Sequence, residues 1–573
     1  RGECIHSACP HFRRCFVEKN VRKARHARIV VANHALVMTQ AALCGLDDAT
    51  VPTRYVFDEG HHLLDAADAA FSVRLSGREG RELRRWILGA ETGGRSRARG
   101  LARRIGDLVE ADESGAKALT ETLSAARVLP AEGWGERLAR ARPLSDFERF
   151  LALVRQQVLA RAVSGSPRAG EDAGYALEAE LRPPIDGLAA AALALAERLE
   201  RLAAALAGLT AALRARLEDP EKPPDPPLRQ RLDAVIRGLD RRGSVQLGAW
   251  CRLLRDIARP TEPPQPDTVE WLALERSEGI ETDVALNRNW IDPGVPFAEL
   301  VAKPAHGLVV TSATFLGSPP DPELVEGSRG AGSDGGADPA CAFAAALTAT
   351  GLRHLPQSPP GVQIASPFDY GAQTRVFVAT DVKRDDPGQL AAAYAALFAA
   401  AKGGALGLFT AIARLRAVYE RIAPVLEARG IPLLAQHVEA MSTATLVGIF
   451  RAEEDSCLLG TDAVRDGVDV PGRALRLIVF DRVPWPRPDI LHRARKPVFG
   501  GALYGDRIAG MRLRQAYGRL IRRADDRGVF VILDRALPSR LFAAFPAGVP
   551  IARVPIAEAV AATARFLDSA PAA

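Results

Sequence analysis

No run of about 18 uncharged apolar residues occurs in the 573-residue sequence, which excludes a membrane-spanning helix of the hydropathic kind. The first residues are charged and Cys-rich and lack a basic stretch followed by an apolar one, so the expectation is a soluble, cytoplasmic protein with no membrane partner. Aromatic residues make up only 6% of the chain, and stacking candidates reduce to Phe12, Phe16, Tyr419, Trp485 and Tyr504. The formal charge of +6 permits an anionic partner, yet spread over this length it does not by itself indicate one. Cysteines number seven, and three of them fall in the first fifteen residues. An odd count crowded at one end suits metal ligation in a reducing compartment better than a disulfide framework.

What is present is ample apolar content for several cores, and a chain this long divides into two to four domains. Residues 28 to 38 and 54 to 57 read as short buried strands, the second ending on carboxylates where ligands of parallel α/β sheets bind. From about 66 to 260 the composition turns to Ala, Leu, Arg and Glu, with helical periodicity strongest at 188 to 217, and reads as a helical insertion without sheet. A strand signal returns at 307 to 314, followed by a Gly/Ser/Asp-rich stretch, 317 to 338, that reads as a flexible surface loop. Beyond Thr374 strand and helix patterns alternate: strands at 375–379, 404–409, 456–460, 475–480 and 529–533, with helices at 389–402 and from Ala411. That alternation describes an α/β domain with a mostly parallel sheet.

The chemistry-bearing residues lie at the ends of these elements. Asp58-Glu59-Gly60-His61 follows a strand, and two adjacent carboxylates there suit a division of labour: Asp58 holds Mg²⁺ and Glu59 orients or deprotonates a water. The same tetrapeptide also reads as an exposed acidic turn with Asp58 capping a helix. Thr311-Ser312-Ala313-Thr314 offers hydroxyls able to bond His61 and relay a nucleotide state, or is an ordinary strand terminus. Gly467 and Asp469 place a carboxylate after a bend, or belong to a plain polar loop. In a helix at 513 to 523, Gln515, Gly518, Arg519 and Arg522 share one face, placing guanidinium groups for phosphoryl transfer or a basic patch for nucleic-acid phosphates. Cys4, Cys9 and Cys15 suit an iron–sulfur cluster or, with His6 or His11, zinc. Cys44, Cys251, Cys341 and Cys457 read as small buried hydrophobes. The basic run from Arg13 to Arg28 reads as a backbone-contacting surface or a solvated charged helix.

Taken in order, these motifs, with Asn33-His34, resemble the DinG branch of the XPD-like superfamily 2 DNA helicases over nearly the whole chain. The resemblance implies two RecA-like motor domains, the first incomplete, with an iron–sulfur segment and an inserted helical arch. It implies a partial cluster domain at 1–27, the first RecA-like domain at 28–65, the arch at 66–298, a return and linker at 299–370, and the second RecA-like domain at 371–573. Ser366-Pro-Phe-Asp-Tyr370 resembles the family's lead-in to that domain. Carried over residue by residue, Asp58 and Glu59 are the Mg²⁺ and water-activating acids. His61, Ser312 and Thr314, with Gly467 and Asp469, couple hydrolysis to movement, and Gln515, Arg519 and Arg522 serve the phosphates. Asn33, His34, Thr410, Arg414 and Arg465 contact DNA; Phe409-Thr410-Ala411 stands where relatives show Phe-Thr-Ser. The implied cofactors are ATP, Mg²⁺ and a 4Fe-4S cluster held by Cys4, Cys9, Cys15 and a fourth cysteine upstream.

One departure matters most: no Gly-x-x-x-x-Gly-Lys-Ser/Thr occurs in the sequence. The expectation is an N-terminally truncated monomeric helicase that moves 5′ to 3′ on single-stranded DNA and opens forks or R-loops in repair or replication. The segment alone is expected neither to hydrolyse ATP efficiently nor to hold a fully cysteine-ligated cluster. The alternative is a non-catalytic nucleic-acid-binding remnant or scaffold with a structural metal site. A DinG-like nuclease would need an exonuclease domain that these residues do not contain.

Overall fold

The computed structural model describes residue 9 and residues 11–44, 52–91, 99–110, 112–165, 176–259, 267–277, 279–315, 339–467 and 469–569. The chain forms two compact units: residues 1–311 with 350–356 and 489–495, and residues 312–349 with 357–488 and 496–573. The stretch at 317 to 338, and Cys4, lie outside the described residues. Among the described residues no helix is long and apolar enough to cross a membrane.

The first unit contains, among its described residues, the strands β1 (Arg54–Phe57), β2 (Val73–Ser76), β3 (Leu177–Glu180), β4 (Thr268–Ser277), β5 (Ile280–Trp290) and β6 (Gly307–Val310). β1 and β6 pair in parallel, with Phe57 opposite Val310. The other four form an antiparallel sheet in the order β2-β5-β4-β3. The insertion therefore has a sheet, which corrects the all-helical expectation. β4 and β5 bury continuous runs, Leu272–Leu274 and Asp283–Asn287, and show no strict alternation, and β2 and β3 are four residues each, too short to show a period without their partners. The helix Leu188–Leu217 buries Leu195, Leu199, Leu202, Leu206 and Leu209, spaced three or four apart, into one core shared with Leu272, Leu274 and Leu286 of the sheet.

The expected strand at 28–38 is also corrected. Residues 28–33 carry no strand, and His34–Cys44 is a helix. Asn33 nucleates it by accepting the Leu36 amide at 2.9 Å through its side chain. Val31 is 95% exposed, so the apolar run that suggested a buried strand finds nothing in the described chain to bury it.

The second unit adds β7 (Thr374–Ala379), β8 (Ala405–Leu408), β9 (Leu433–Ala435), β10 (Cys457–Gly460), β11 (Leu477–Phe480), β12 (Gly528–Ile532) and β13 (Ile551–Val554). They form one sheet in the order β13-β7-β12-β11-β8-β10-β9, and every neighbouring pair is parallel. Alternate residues serve opposite cores: Leu406, Leu408, Ile478, Phe480 and Phe530 face one, and Ala405, Leu477, Val479, Val529 and Val531 the other. A parallel sheet covered on both faces needs such near-continuous apolar strands. Gly407 keeps β8 flush, because a Cβ there would lie 2.6 Å from Leu459 and 2.8 Å from Tyr394. Cys251 and Cys457 are buried, and burial pushes their thiols up to about 11 and about 12.

Beside β2 and β5, burial pushes the Glu79 carboxyl from 4.5 to about 7; Arg74 opposes this, and Asp283, Glu82 and Glu275 add to it. A carboxyl raised in the folded state contributes stability below 4.5 that is lost as pH climbs through about 7. Glu79→Gln should therefore stabilise the protein by roughly 2 kcal/mol at pH 8 and have little effect at pH 4, as read by denaturant unfolding at the two pH values.

Candidate functional site

The acidic turn sits where β1 ends. Asp58 and Glu59 are exposed, and the Asp58 carboxylate accepts the Thr311 hydroxyl at 2.8 Å. The Gly60 amide donates to the Thr311 carbonyl at 2.8 Å, so the parallel partner strand fixes the turn from the other side. Glu59 occupies the left-handed region at φ 52°, costly for a residue with a Cβ and sustained only where the surroundings over-determine it. His61 is nearly buried, with Nδ1 3.4 Å from a Glu59 oxygen and its ring 4.1 Å from that of His62. A carboxylate presented at a strand end and oriented by a hydroxyl fits a divalent ion held through its water shell. The sequence counts Thr311 among hydroxyls able to bond His61; in the structure its hydroxyl serves Asp58 instead.

Arg519 and Arg522 lie outside the helix assigned to them. The helix Ala502–Tyr517 ends at Gly518, and the Arg519 and Leu520 amides donate three residues back. The buried Asp526 carboxylate then accepts the backbone amides of both Arg522 and Arg523 at 2.7 Å. Two charge-assisted bonds outweigh one further helical turn, and the shared helical face expected from the spacing is lost. Gln515 is buried on the last turn. The tertiary fold brings together two predicted residues instead: Arg522 Nε lies 3.3 Å from Asp469. Gly467 ends a short helix, Asp462–Gly467, and Arg465 on that helix is buried and paired with Asp462 at 2.8 Å.

Ser312 and Thr314 share a hydroxyl–hydroxyl bond at 3.0 Å. Arg514 donates to the Thr314 carbonyl at 2.7 Å and to the carbonyls of Ala543 and Ala544. No sequence signal distinguished Arg514 from its basic neighbours. Thr410 and Arg414 converge on Asp481, whose carboxylate accepts the Thr410 amide at 3.1 Å and Arg414 Nε at 2.7 Å. Asp481 is fully buried, and burial raises its carboxyl against the pull of Arg414. Asn33 caps its helix and His34 packs edge-on against Phe57 at 5.5 Å, so both serve the fold. The basic run forms the exposed helix Phe16–His26.

Cys9 and Cys15 are free and half-buried on either side of a short turn. Two thiols are half the usual set for a cubane cluster, and among the described residues no group of three or more His, Cys, Asp or Glu converges on a metal position.

Residues 394–550, the heart of the parallel sheet, match the helicase C-terminal domain family. This part of the unit is therefore a helicase C-terminal domain of mixed α/β type. The ATP-dependent helicase DinG of Mycobacterium tuberculosis is 34% identical over 32% of this chain and 29% of its own length. The ATP-dependent DNA helicase DinG of Photobacterium profundum is 22% identical over 94% of this chain and 70% of its own. A structure of S. tokodaii Xpd4 aligns over 90% of this chain and 79% of its own at 12% identity, with a TM-score of 0.41. The chain thus spans less than a third of the mycobacterial relative it matches. The matches agree with the resemblance read from the motifs: residues 394–550 fit a helicase C-terminal domain, and parts of the chain are similar to DinG helicases.

Asp526→Ala should cost about 1–3 kcal/mol by leaving the Arg522 and Arg523 amides without their acceptor, and Asp526→Asn about half as much. Chemical denaturation of the two variants against the parent protein measures both.

Proposed function

We propose that this chain is part of an ATP-dependent DNA helicase that tracks 5′ to 3′ on single-stranded DNA and opens forks or R-loops in repair or replication. The observation that carries this reading is the turn after β1, where a strained Glu59 stands beside an Asp58 oriented by Thr311. Mg²⁺-ATP supplies a γ-phosphate open to attack by water. Asp58 holds the metal's water shell, and Glu59 orients and accepts a proton from the attacking water. Arg519 and Arg522 stabilise charge on the phosphoryl group, Arg522 being pre-set by Asp469 and by the Asp526-anchored loop. Gln515, buried on the last helical turn, is the phosphate-proximal partner of these arginines. Ser312, Thr314 and His61 carry the nucleotide state onward, with Arg514 holding the Thr314 carbonyl. Cys4, Cys9 and Cys15 are assigned to a 4Fe-4S cluster whose fourth ligand comes from outside this sequence.

The phosphate cradle is likewise assigned to polypeptide that this sequence does not contain. Two features support that assignment: the missing Gly-Lys-Ser/Thr pattern, and a two-stranded parallel sheet left with Val56 74% and Val309 53% exposed. Parallel sheets are stable when several strands are covered on both faces, so added strands here would satisfy β1 and β6. The missing cradle also favours one other reading, a non-catalytic nucleic-acid-binding scaffold with a structural metal site.

ATPase activity of the protein purified anaerobically and completed with a cradle-bearing segment separates the two. Stimulation by single-stranded DNA, reduced about a thousandfold by Glu59→Gln and by Arg522→Ala, is the expected result. Absence of turnover in the completed protein selects the scaffold. The chain alone should hydrolyse ATP no faster than its own Glu59→Gln variant, and a rate abolished by that substitution would refute the need for added polypeptide.

A further inference from the structure

Two guanidinium groups, those of Arg414 and Arg482, gather around one buried carboxylate at the carboxyl edge of the second unit's sheet. Asp481 follows β11, and Thr410 and Arg414 follow the adjacent strand β8. Asp481 spends its acceptors on Arg414 Nε, on the Thr410 amide at 3.1 Å and on the Thr410 hydroxyl at 3.4 Å. Arg482 Nε is left 3.8 Å from the same carboxylate, beyond hydrogen-bond range. Arg482 Nε and Arg414 Nη2 are covered nitrogens without an acceptor. The Arg482 side chain is nonetheless 26% exposed and the Arg414 side chain 20%. Burial lowers the affinity of Arg482 for its proton, and the charges of Arg414 and Arg384 lower it further. Asp385, the other acid nearby, is 80% exposed and lies 3.9 Å from Arg384. A structural ion pair accounts for Arg414 with Asp481, but it leaves Arg482 as a cation held by packing and unmatched by an anion of its own.

The edge is where parallel α/β sheets bind ligands. Three residues beyond Arg482, Trp485 is 40% exposed, and its carbonyl and that of Pro484 accept from Arg512. A half-exposed aromatic side chain three residues along the chain from surplus guanidinium charge matches a nucleotide chain, which offers a stackable base for each phosphate. We propose that Arg482, steadied beside the Arg414–Asp481 pair, seats a phosphodiester of single-stranded nucleic acid, with Trp485 stacking on a neighbouring base. The inference rests on the reading that the protein binds single-stranded DNA; it adds Arg482, which no motif marked, and gives a place to Trp485, one of the few stacking candidates in the sequence.

Anisotropy of a labelled oligo-dT with the full chain, titrated across salt concentrations, tests it. Arg482→Ala should weaken binding about tenfold and flatten the salt dependence by about 0.7 in log–log slope, the share of one phosphate on a single strand. Arg482→Lys should restore most of the slope, which also guards against misfolding of the alanine variant. Trp485→Ala should weaken binding by a similar factor with the slope unchanged. Oligo-dT affinity and slope in Arg482→Ala equal to the parent's would overturn the inference while leaving the DNA-binding reading intact. Loss of ADP affinity with DNA affinity retained would assign the seat to nucleotide and overturn it as well. No oligo-dT binding by the unsubstituted chain would remove the broader reading and this inference with it.

Discussion

The loops that carry Thr410, Thr461 and Asp481 begin where strands of one all-parallel, doubly covered sheet run out. Because alternate residues of β8, β11 and β12 are committed to opposite cores, a strand cannot slip by one residue without turning its whole apolar set over. The register therefore fixes which residue first leaves the sheet: Thr410 two residues after β8, Asp481 directly after β11, Thr461 directly after β10. Parallel strands point the same way, so these residues emerge on one edge and polar groups distant in sequence become neighbours.

Buried carboxylates then organise both edges of the sheet, Asp481 and Asp534 following β11 and β12 at the carboxyl edge and Asp526 preceding β12 at the amino edge. Asp481 gathers Thr410 and Arg414, Asp526 gathers the amides of Arg522 and Arg523, and Asp534 accepts the amides of Val483 and Ala536. Each carboxylate has given up water and is tolerable only while its acceptors are occupied, which ties loop geometry to the integrity of the core. The first unit applies the same logic at smaller scale, with Thr311 and Gly60 locking the turn that carries Asp58 and Glu59.

Much of this was legible in the residues. The alternation beyond Thr374 specified an α/β sheet because buried parallel strands must be apolar at nearly every position, and the Asp58-Glu59 pair announced itself by its place after such a strand. Three local signals misled. The apolar run at 28–33 resembles a strand but has no partner among the described residues, and Asn33 starts a helix at its end. The spacing of Gln515, Arg519 and Arg522 resembles a helical face, yet Asp526 draws the last two out of the helix. Flanking strands of the insertion are too short to carry a period, and only pairing over many residues reveals them.

The order and chemical type of the motifs reside in the primary structure, because a carboxylate pair, a Ser-Ala-Thr segment or an arginine-rich segment is recognisable by residue identity and spacing alone. Which side chains meet is a different matter. Asp58 with Thr311, Arg522 with Asp469, Arg414 with Asp481 and Arg514 with Thr314 are pairings across 253, 53, 67 and 200 residues of chain. Local propensity decays within a few residues, so contacts at such separations are selected by strand register and core packing, and only the folded chain decides them.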